Sequence, residues 1–132
     1  MSTAPARALR AIPMSLGVLT LVSLAPLLIW DASPQLFPAA AHDVLAAVPL
    51  ASIALAYVAY QWVRRVGPLE LAKAVMLALA FLFWAANQLW PEHPLATLFN
   101  DIAIAAFVLD VFLVIAGWPT SSTSLGETRP TS

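Results

Sequence analysis

Apolar residues fall into four long runs along the chain, separated by short stretches that carry most of the prolines, charges and histidines. The runs cover about residues 11–30, 44–63, 69–90 and 95–117. An α-helix rises about 1.5 Å per residue, so a run of about 20 residues matches a hydrocarbon core of about 30 Å. The pattern predicts an all-α fold, an integral membrane bundle of four transmembrane helices within residues 1–118.

The stretches between the runs contain strong turn signals. Ser33-Pro34 and Phe37-Pro38 predict a loop over residues 31–43, because the residue before a proline is biased away from helix. A compact turn is predicted around Gly67-Pro68, and the segment Pro91 to Pro94 predicts a tight hairpin between the third and fourth helices. The polar, low-complexity segment 119–132 predicts a disordered cytoplasmic tail.

Composition favours a bilayer over water as the solvent of this fold. Of the 132 residues, 61% are hydrophobic and only 10% are charged, and the mean hydropathy is +0.86, whereas a soluble domain has about 25% charged residues. We therefore predict that lipid is the main partner. The net charge of −1 indicates no basic field for nucleic acid, and the absence of cysteine excludes disulfides and thiolate metal sites.

A signal peptide is the alternative interpretation of the first run, because Arg7 and Arg10 precede it. The run is longer than a typical signal-peptide core, and the small residues at 39–41 lie too far from its end to serve as a cleavage site. We therefore predict an uncleaved first helix.

The basic residues lie at or near one side of the predicted four-helix arrangement: Arg7, Arg10, Arg64, Arg65, Lys73 and Arg129. The opposite connections, 31–43 and 91–94, contain no Lys or Arg. The positive-inside rule then places both termini in the cytoplasm. A composition rich in Ala, Leu, Pro and Arg is typical of GC-rich bacteria, so the predicted location is the cell inner membrane.

Six polar residues lie at membrane depth in the last two runs and are the main candidates for function: Lys73, Asn87, Gln88, Asn100, Asp101 and Asp110. In a hairpin centred between Glu92 and His93, residues at equal depth have numbers that sum to about 185. The residue numbers of Lys73 and Asp110 sum to 183, so the two residues should lie at about the same depth. Helical periodicity places Asp110 on a stripe of small and polar residues and Asp101 on the opposite face.

The favoured interpretation of Lys73 and Asp110 is a structural ion pair between helices, because an unpaired carboxylate at this depth is costly. A carboxylate that carries protons during transport and a pairing across an oligomer interface are the alternatives. Lys73 could instead extend to the surface, which would leave Asp110 bonded to a hydroxyl such as that of Ser15 or Thr20. Asn87 and Gln88 are expected to form interhelical hydrogen bonds, with an outward polar pocket as the alternative.

A second, weaker cluster of polar residues is expected on the outer face: Asp31, His42, Asp43, Glu92 and His93. Imidazole and carboxylate groups can bind metals, but these spacings match no metal motif. Both histidines lie at helix ends rather than in mid-membrane, which disfavours haem. We therefore predict that the protein binds no metal and no cofactor.

Catalytic signatures are missing, since the chain has no glycine-rich phosphate loop, no Gly-x-Ser-x-Gly and no His-Glu-x-x-His. We therefore predict a non-enzymatic accessory or structural subunit, or a homo-oligomer, in a membrane complex. The alternative is a transporter or channel for protons or a small solute that uses Asp110. The chain is similar to small multidrug transporters in size only, because its first helix lacks their membrane-embedded glutamate.

Overall fold

The structure, a computed structural model, describes residues 4–118 of the chain. In that range it is all-α, without strands, and contains four α-helices: α1 (Ala4–Ala32), α2 (Ala41–Arg64), α3 (Pro68–Leu89) and α4 (Ala96–Ile115). A short 3-10 helix, Pro34–Leu36, follows α1. All four α-helices are long and apolar enough to span a membrane, which confirms that part of the sequence prediction. The predicted disordered tail, 119–132, lies outside the described residues.

The bounds of α1 and α2 differ from the sequence prediction. Helix α1 begins at Ala4, before the apolar run, because Ala, Leu and Arg in this segment are strong helix formers. Helix α2 begins at Ala41, so the prediction of a loop through residue 43 is wrong. His42 and Asp43 lie in the first turn of α2, where the helix dipole favours an acidic side chain such as Asp43. Asp31 lies in the last turn of α1 rather than in the loop.

Helices α2 and α4 end in the same hydrogen-bonding pattern. In α4 the Gly117 N–H bonds to the carbonyl of Val114 at 3.0 Å, and the Trp118 N–H bonds to the carbonyl of Leu113 at 2.9 Å. This is a Schellman motif, and Gly117 takes the left-handed φ of 72° that the motif requires. The equivalent residue of α2 is Arg65, with φ of 53°. A side chain there is strained, because left-handed backbone brings Cβ close to the following carbonyl.

The four helices follow one another in space in the same order as in the chain. Within the described residues, α1 packs on α2, α2 on α3, and α3 on α4, and no Cα atoms of any other pair of α-helices lie within 8 Å of each other. Helices α1 and α4 therefore do not close the arrangement. The four predicted helices therefore form an open row, in which each packs on its neighbours in the chain.

Small residues make up the interior of this row. Apart from Pro49, the buried apolar residues in the described part of the chain are alanines: Ala47, Ala54, Ala56, Ala74, Ala78, Ala80, Ala85, Ala96 and Ala103. Large apolar side chains lie outside, with Leu21 69% exposed and Ile115 79% exposed. Small residues let helix backbones approach closely, and this distribution is typical of helices packed in lipid. A core in water would bury the large side chains instead.

Candidate functional site

A long groove runs along the concave side of the helix row. Its wider half has a volume of 570 Å³ between α1, α2 and α3, and its other half, of 550 Å³, continues between the same helices. Ile53 and Phe81 line both halves, so the two lie next to each other along the three helices. We call this the central groove. It opens to the side between α1 and α3, which do not pack on each other.

The two ends of the central groove carry different polar groups. Arg10 of α1 and Arg64 of α2 line one end, and Asp31 and His42 line the other. His42 and Arg64 lie 22 residues apart on α2, which corresponds to about 33 Å of helix. The groove therefore extends over the length of a membrane-spanning helix, with apolar walls between polar ends.

Lys73 and Asp110 lie close together near the Arg64 end of the helix row. The Lys73 Nζ is 3.9 Å from the Asp110 Oδ1, which is an ion pair but too long for a hydrogen bond. Their side chains are 19% and 12% exposed, respectively, so water screens the pair little. The tight α3–α4 turn places the two residues at the same depth, and Asp110 lies on the face of α4 that meets α3.

A polar pocket lies beside this pair. It has a volume of 390 Å³ and is formed by α2, α3 and the end of α4. Lys73, Glu70, Tyr57 and Gln61 supply its polar groups. The Gln61 Nε2 donates a hydrogen bond to the Tyr57 hydroxyl at 3.1 Å, and the Gln61 Oε1 is buried with no partner among the described residues. Tyr57 also lines the central groove, so the pocket adjoins it.

The sequence-predicted polar residues of the hairpin are not all brought together. Asp101 is exposed and faces away from the buried Asp110, as the helical periodicity predicted. Asn87, Gln88 and Asn100 are half-buried. Within residues 4–118 no side-chain hydrogen bond joins Asn87 to Asn100. Gln88 lines the His42 half of the groove, where most of the other lining residues are apolar.

The hydroxyl partner considered for Asp110 is not available in this fold. The Thr20 hydroxyl donates to the carbonyl of Leu16 within α1, at 2.9 Å. Helix α1, which also carries Ser15, does not contact α4 in the described structure. A hydrogen bond from Ser15 or Thr20 to Asp110 is therefore contradicted, because two helices lie between α1 and α4 in the row.

The acidic and histidine residues that were expected on the outer face divide into two separate places. The His42 ring lies 4.5 Å from the Trp30 ring, and its Nδ1 is 3.8 Å from the Asp43 Oδ1. His93 instead stacks on Phe99 at 6.0 Å, in the α3–α4 turn.

The two histidines therefore have different local partners. His42 lies in the first turn of α2, and His93 lies in the α3–α4 turn. The His93 Nδ1 accepts a hydrogen bond from the Leu95 N–H at 3.1 Å, which occupies one of its two possible ligand atoms. Glu92 is exposed in the same turn. In the described part of the chain, no three His, Asp or Glu side chains converge on a position that could hold a metal ion.

No sequence pattern connects Arg10 with Arg64, although both belong to the one-sided distribution of basic residues. They belong to different helices, and only the packing of α1 on α2 brings them to one end of the groove. The Arg64 Nη1 donates to the Tyr60 hydroxyl at 3.2 Å, and the guanidinium carbon lies 5.3 Å from the centre of that ring. The sequence carries part of this signal, since Tyr60 and Arg64 are four residues apart on one helix face.

Comparison of the chain with protein-family models, with curated proteins and with solved structures finds no match.

Proposed function

We propose that the chain is an integral protein of the cell inner membrane that crosses it four times and serves as a structural or accessory subunit without catalytic activity. Four apolar helices with an alanine interior and large apolar side chains outside support insertion in lipid. In this arrangement both termini and Arg64-Arg65 lie in the cytoplasm, and His42 and His93 face outward. The one-sided distribution of basic residues supports this orientation.

Association with a second protein chain is part of this proposal. The observation that carries it is the open helix row, in which the edge helices α1 and α4 each contact a single neighbouring α-helix. An open row cannot enclose a pathway or complete a compact interior by itself. A second copy of the chain, or another membrane protein, would supply the missing neighbours.

Copurification from membranes tests this proposal. A tagged and an untagged copy would be expressed together, extracted in a gentle detergent and purified through the tag. We expect the untagged copy, or one other membrane protein, to elute in a fixed ratio with the tagged chain. Copies expressed in separate cells and mixed only after extraction provide the control. Elution of the tagged chain alone, as a monomer, would contradict the assembly.

A second function, transport of protons or a small solute, is favoured by one specific observation. The Lys73–Asp110 ion pair borders a polar pocket of 390 Å³, and carboxylates at membrane depth commonly mark transport pathways. The test is a pH-dependent flux in proteoliposomes. Asp110→Asn should abolish the flux, whereas Asp101→Asn, a matched change on the exposed face of α4, should leave it intact. A flux that both variants retain would exclude this role for Asp110.

A further inference from the structure

The Arg64 half of the central groove combines an apolar channel with two cations at one end. Its apolar walls are formed by residues of three helices: Pro13, Met14, Ile53, Ala56, Leu77 and Phe81. No acidic residue lines this half of the groove. In the described part of the chain the ion pairs are His42–Asp43 and Lys73–Asp110, so neither Arg10 nor Arg64 is neutralised by a carboxylate there. The charge at this end favours an anion.

The length of this half matches one leaflet of a bilayer. Ile53 and Arg64 are 11 residues apart on α2, which is about 16 Å of helix, and half of a hydrocarbon core is about 15 Å. The volume of 570 Å³ lies within the range of about 300–1,000 Å³ for small-molecule sites. The lateral opening between α1 and α3, which do not pack on each other, gives direct access from the lipid phase.

Arg64 is oriented at the mouth of the groove by Tyr60. The tyrosine hydroxyl accepts one of its hydrogen bonds and the ring lies beneath the guanidinium. A guanidinium has five N–H donors in a planar fork, so donors remain for another acceptor. Arginine binds phosphate oxygens well because this fork can donate two parallel hydrogen bonds. Arg10 adds a second cation from α1.

We propose that this half of the central groove is a binding site for one anionic phospholipid of the cytoplasmic leaflet. An acyl chain lies along the apolar walls between Gly17 and Phe81, and the headgroup phosphate binds Arg10 and Arg64. Basic pockets between membrane-spanning helices on the cytoplasmic side are typical sites for such headgroups. The inference rests on the membrane insertion proposed above, and it adds a ligand class and named contacts to that function.

Native mass spectrometry of the purified full chain tests the site. The protein would be titrated with phosphatidylglycerol and, separately, with phosphatidylcholine that carries the same acyl chains. We expect the anionic lipid to bind tighter by roughly tenfold or more, since each basic residue adds to the attraction. Equal binding of the two lipids would overturn the proposal.

Paired arginine variants separate this site from a general surface charge. The double variant Arg10→Gln with Arg64→Gln should lose the preference for phosphatidylglycerol. The matched control is Arg7→Gln with Arg65→Gln, which removes the same charge from neighbouring positions that do not line this part of the groove. The control should keep the preference. Loss of the preference in both double variants would assign the effect to the general surface potential and reject the site.

The acyl chain has its own test at Gly17, which lines the groove. A Cβ at this position would meet no atom within 4 Å, so Gly17→Leu should fold and fill the groove. It should weaken phosphatidylglycerol binding although both arginines remain, and unchanged binding would reject the acyl-chain assignment. Soluble glycerol 3-phosphate should fail to displace the lipid. Displacement at equal concentration would show that the arginines bind phosphate alone.

The same spectra also report the number of protein chains in each particle. An oligomer that carries no selectively bound lipid would contradict the lipid site and leave the assembly intact. A monomer with one selectively bound phosphatidylglycerol would contradict the assembly and leave the site intact. The two proposals therefore fail separately.

Discussion

Lys73 on α3 and Asp110 on α4 form an ion pair between adjacent helices, with 3.9 Å between Nζ and Oδ1. Both side chains are largely buried. The two residues are 37 positions apart in the chain, yet the short hairpin returns α4 along α3 so that they meet at one depth. This pair links the register of the two helices to the charge balance beside the polar pocket formed by α2, α3 and the end of α4.

Removal of either partner should destabilise the protein, because the remaining charge has little access to water. We expect Lys73→Met or Asp110→Asn to lower the free energy of unfolding by about 2–3 kcal/mol. The double variant should lose less than the sum of the single losses, by about 1 kcal/mol or more. Denaturant unfolding in detergent would measure all three values.

The control for this cycle is Asp101→Asn. Asp101 belongs to the same helix but is exposed, so the same chemical change should alter the free energy of unfolding by less than about 0.5 kcal/mol. Strictly additive losses for Lys73→Met and Asp110→Asn would refute the ion pair.

Membrane topology can be measured with single cysteines, since the natural chain has none. We expect a membrane-impermeant maleimide to label Glu92→Cys in intact cells, because the α3–α4 turn is exposed and faces outward in the proposed orientation. Arg65→Cys, at the opposite end of α3, should be labelled only after the cells are opened. The reverse pattern would invert the proposed topology.

Replacement of Arg65 by glycine should stabilise the protein. It occupies the left-handed position of a Schellman motif at φ 53°, and glycine removes the steric cost of that backbone. After allowance for the greater flexibility of glycine in the unfolded chain, Arg65→Gly should raise the free energy of unfolding by about 0.5–1 kcal/mol. Thermal unfolding in detergent would measure the change.

Arg64→Gly provides a control with the opposite expected sign, because it removes the same charge one residue earlier together with the contact between Arg64 and Tyr60. Arg64 is the last residue of α2, where glycine gains nothing sterically and loses helix propensity. We therefore expect Arg64→Gly to lower the free energy of unfolding. If Arg65→Gly also lowers the free energy of unfolding, strain of the left-handed backbone at Arg65 does not determine the effect of the substitution.

The alanine interior should be intolerant of larger side chains. Ala74 is 1% exposed, so Ala74→Leu should push neighbouring helices apart and cost about 1–3 kcal/mol. Ala72→Leu is the control, since Ala72 is exposed on the same helix and its substitution should be nearly neutral. Equal stabilities of the two variants, measured by thermal unfolding in detergent, would show that α3 does not pack through Ala74.

The outer histidines should bind no stoichiometric metal. His42 contacts Trp30, and His93 stacks on Phe99 and accepts a hydrogen bond from the Leu95 N–H, so local contacts occupy each ring. Elemental analysis of purified protein should find no zinc, copper or iron in molar proportion. A metal that disappears in His42→Ala or His93→Ala would contradict this expectation.

The hydrophobic pattern by itself determined the positions of the four helices. It also determined that Lys73 and Asp110 lie at the same depth along them. Chain length and polarity decide whether a segment is helical at membrane depth, and a tight turn fixes the depth of residues in the following helix. The rotation of each helix is not fixed in the same way. Asn87 and Asn100 are also nearly level, by the same counting, but no hydrogen bond joins them in the described structure.

Only the tertiary structure decided that the helices form an open row, and that Arg10 and Arg64 meet at one end of a groove. Apolar periodicity is a weak guide here, because large apolar side chains cover most faces of each helix and lie outside. Close approach of small residues selects the packed faces instead, and alanines occur on several sides of each helix. Which helices pack together therefore depends on complementary shapes between segments distant in sequence, which no single run of residues contains.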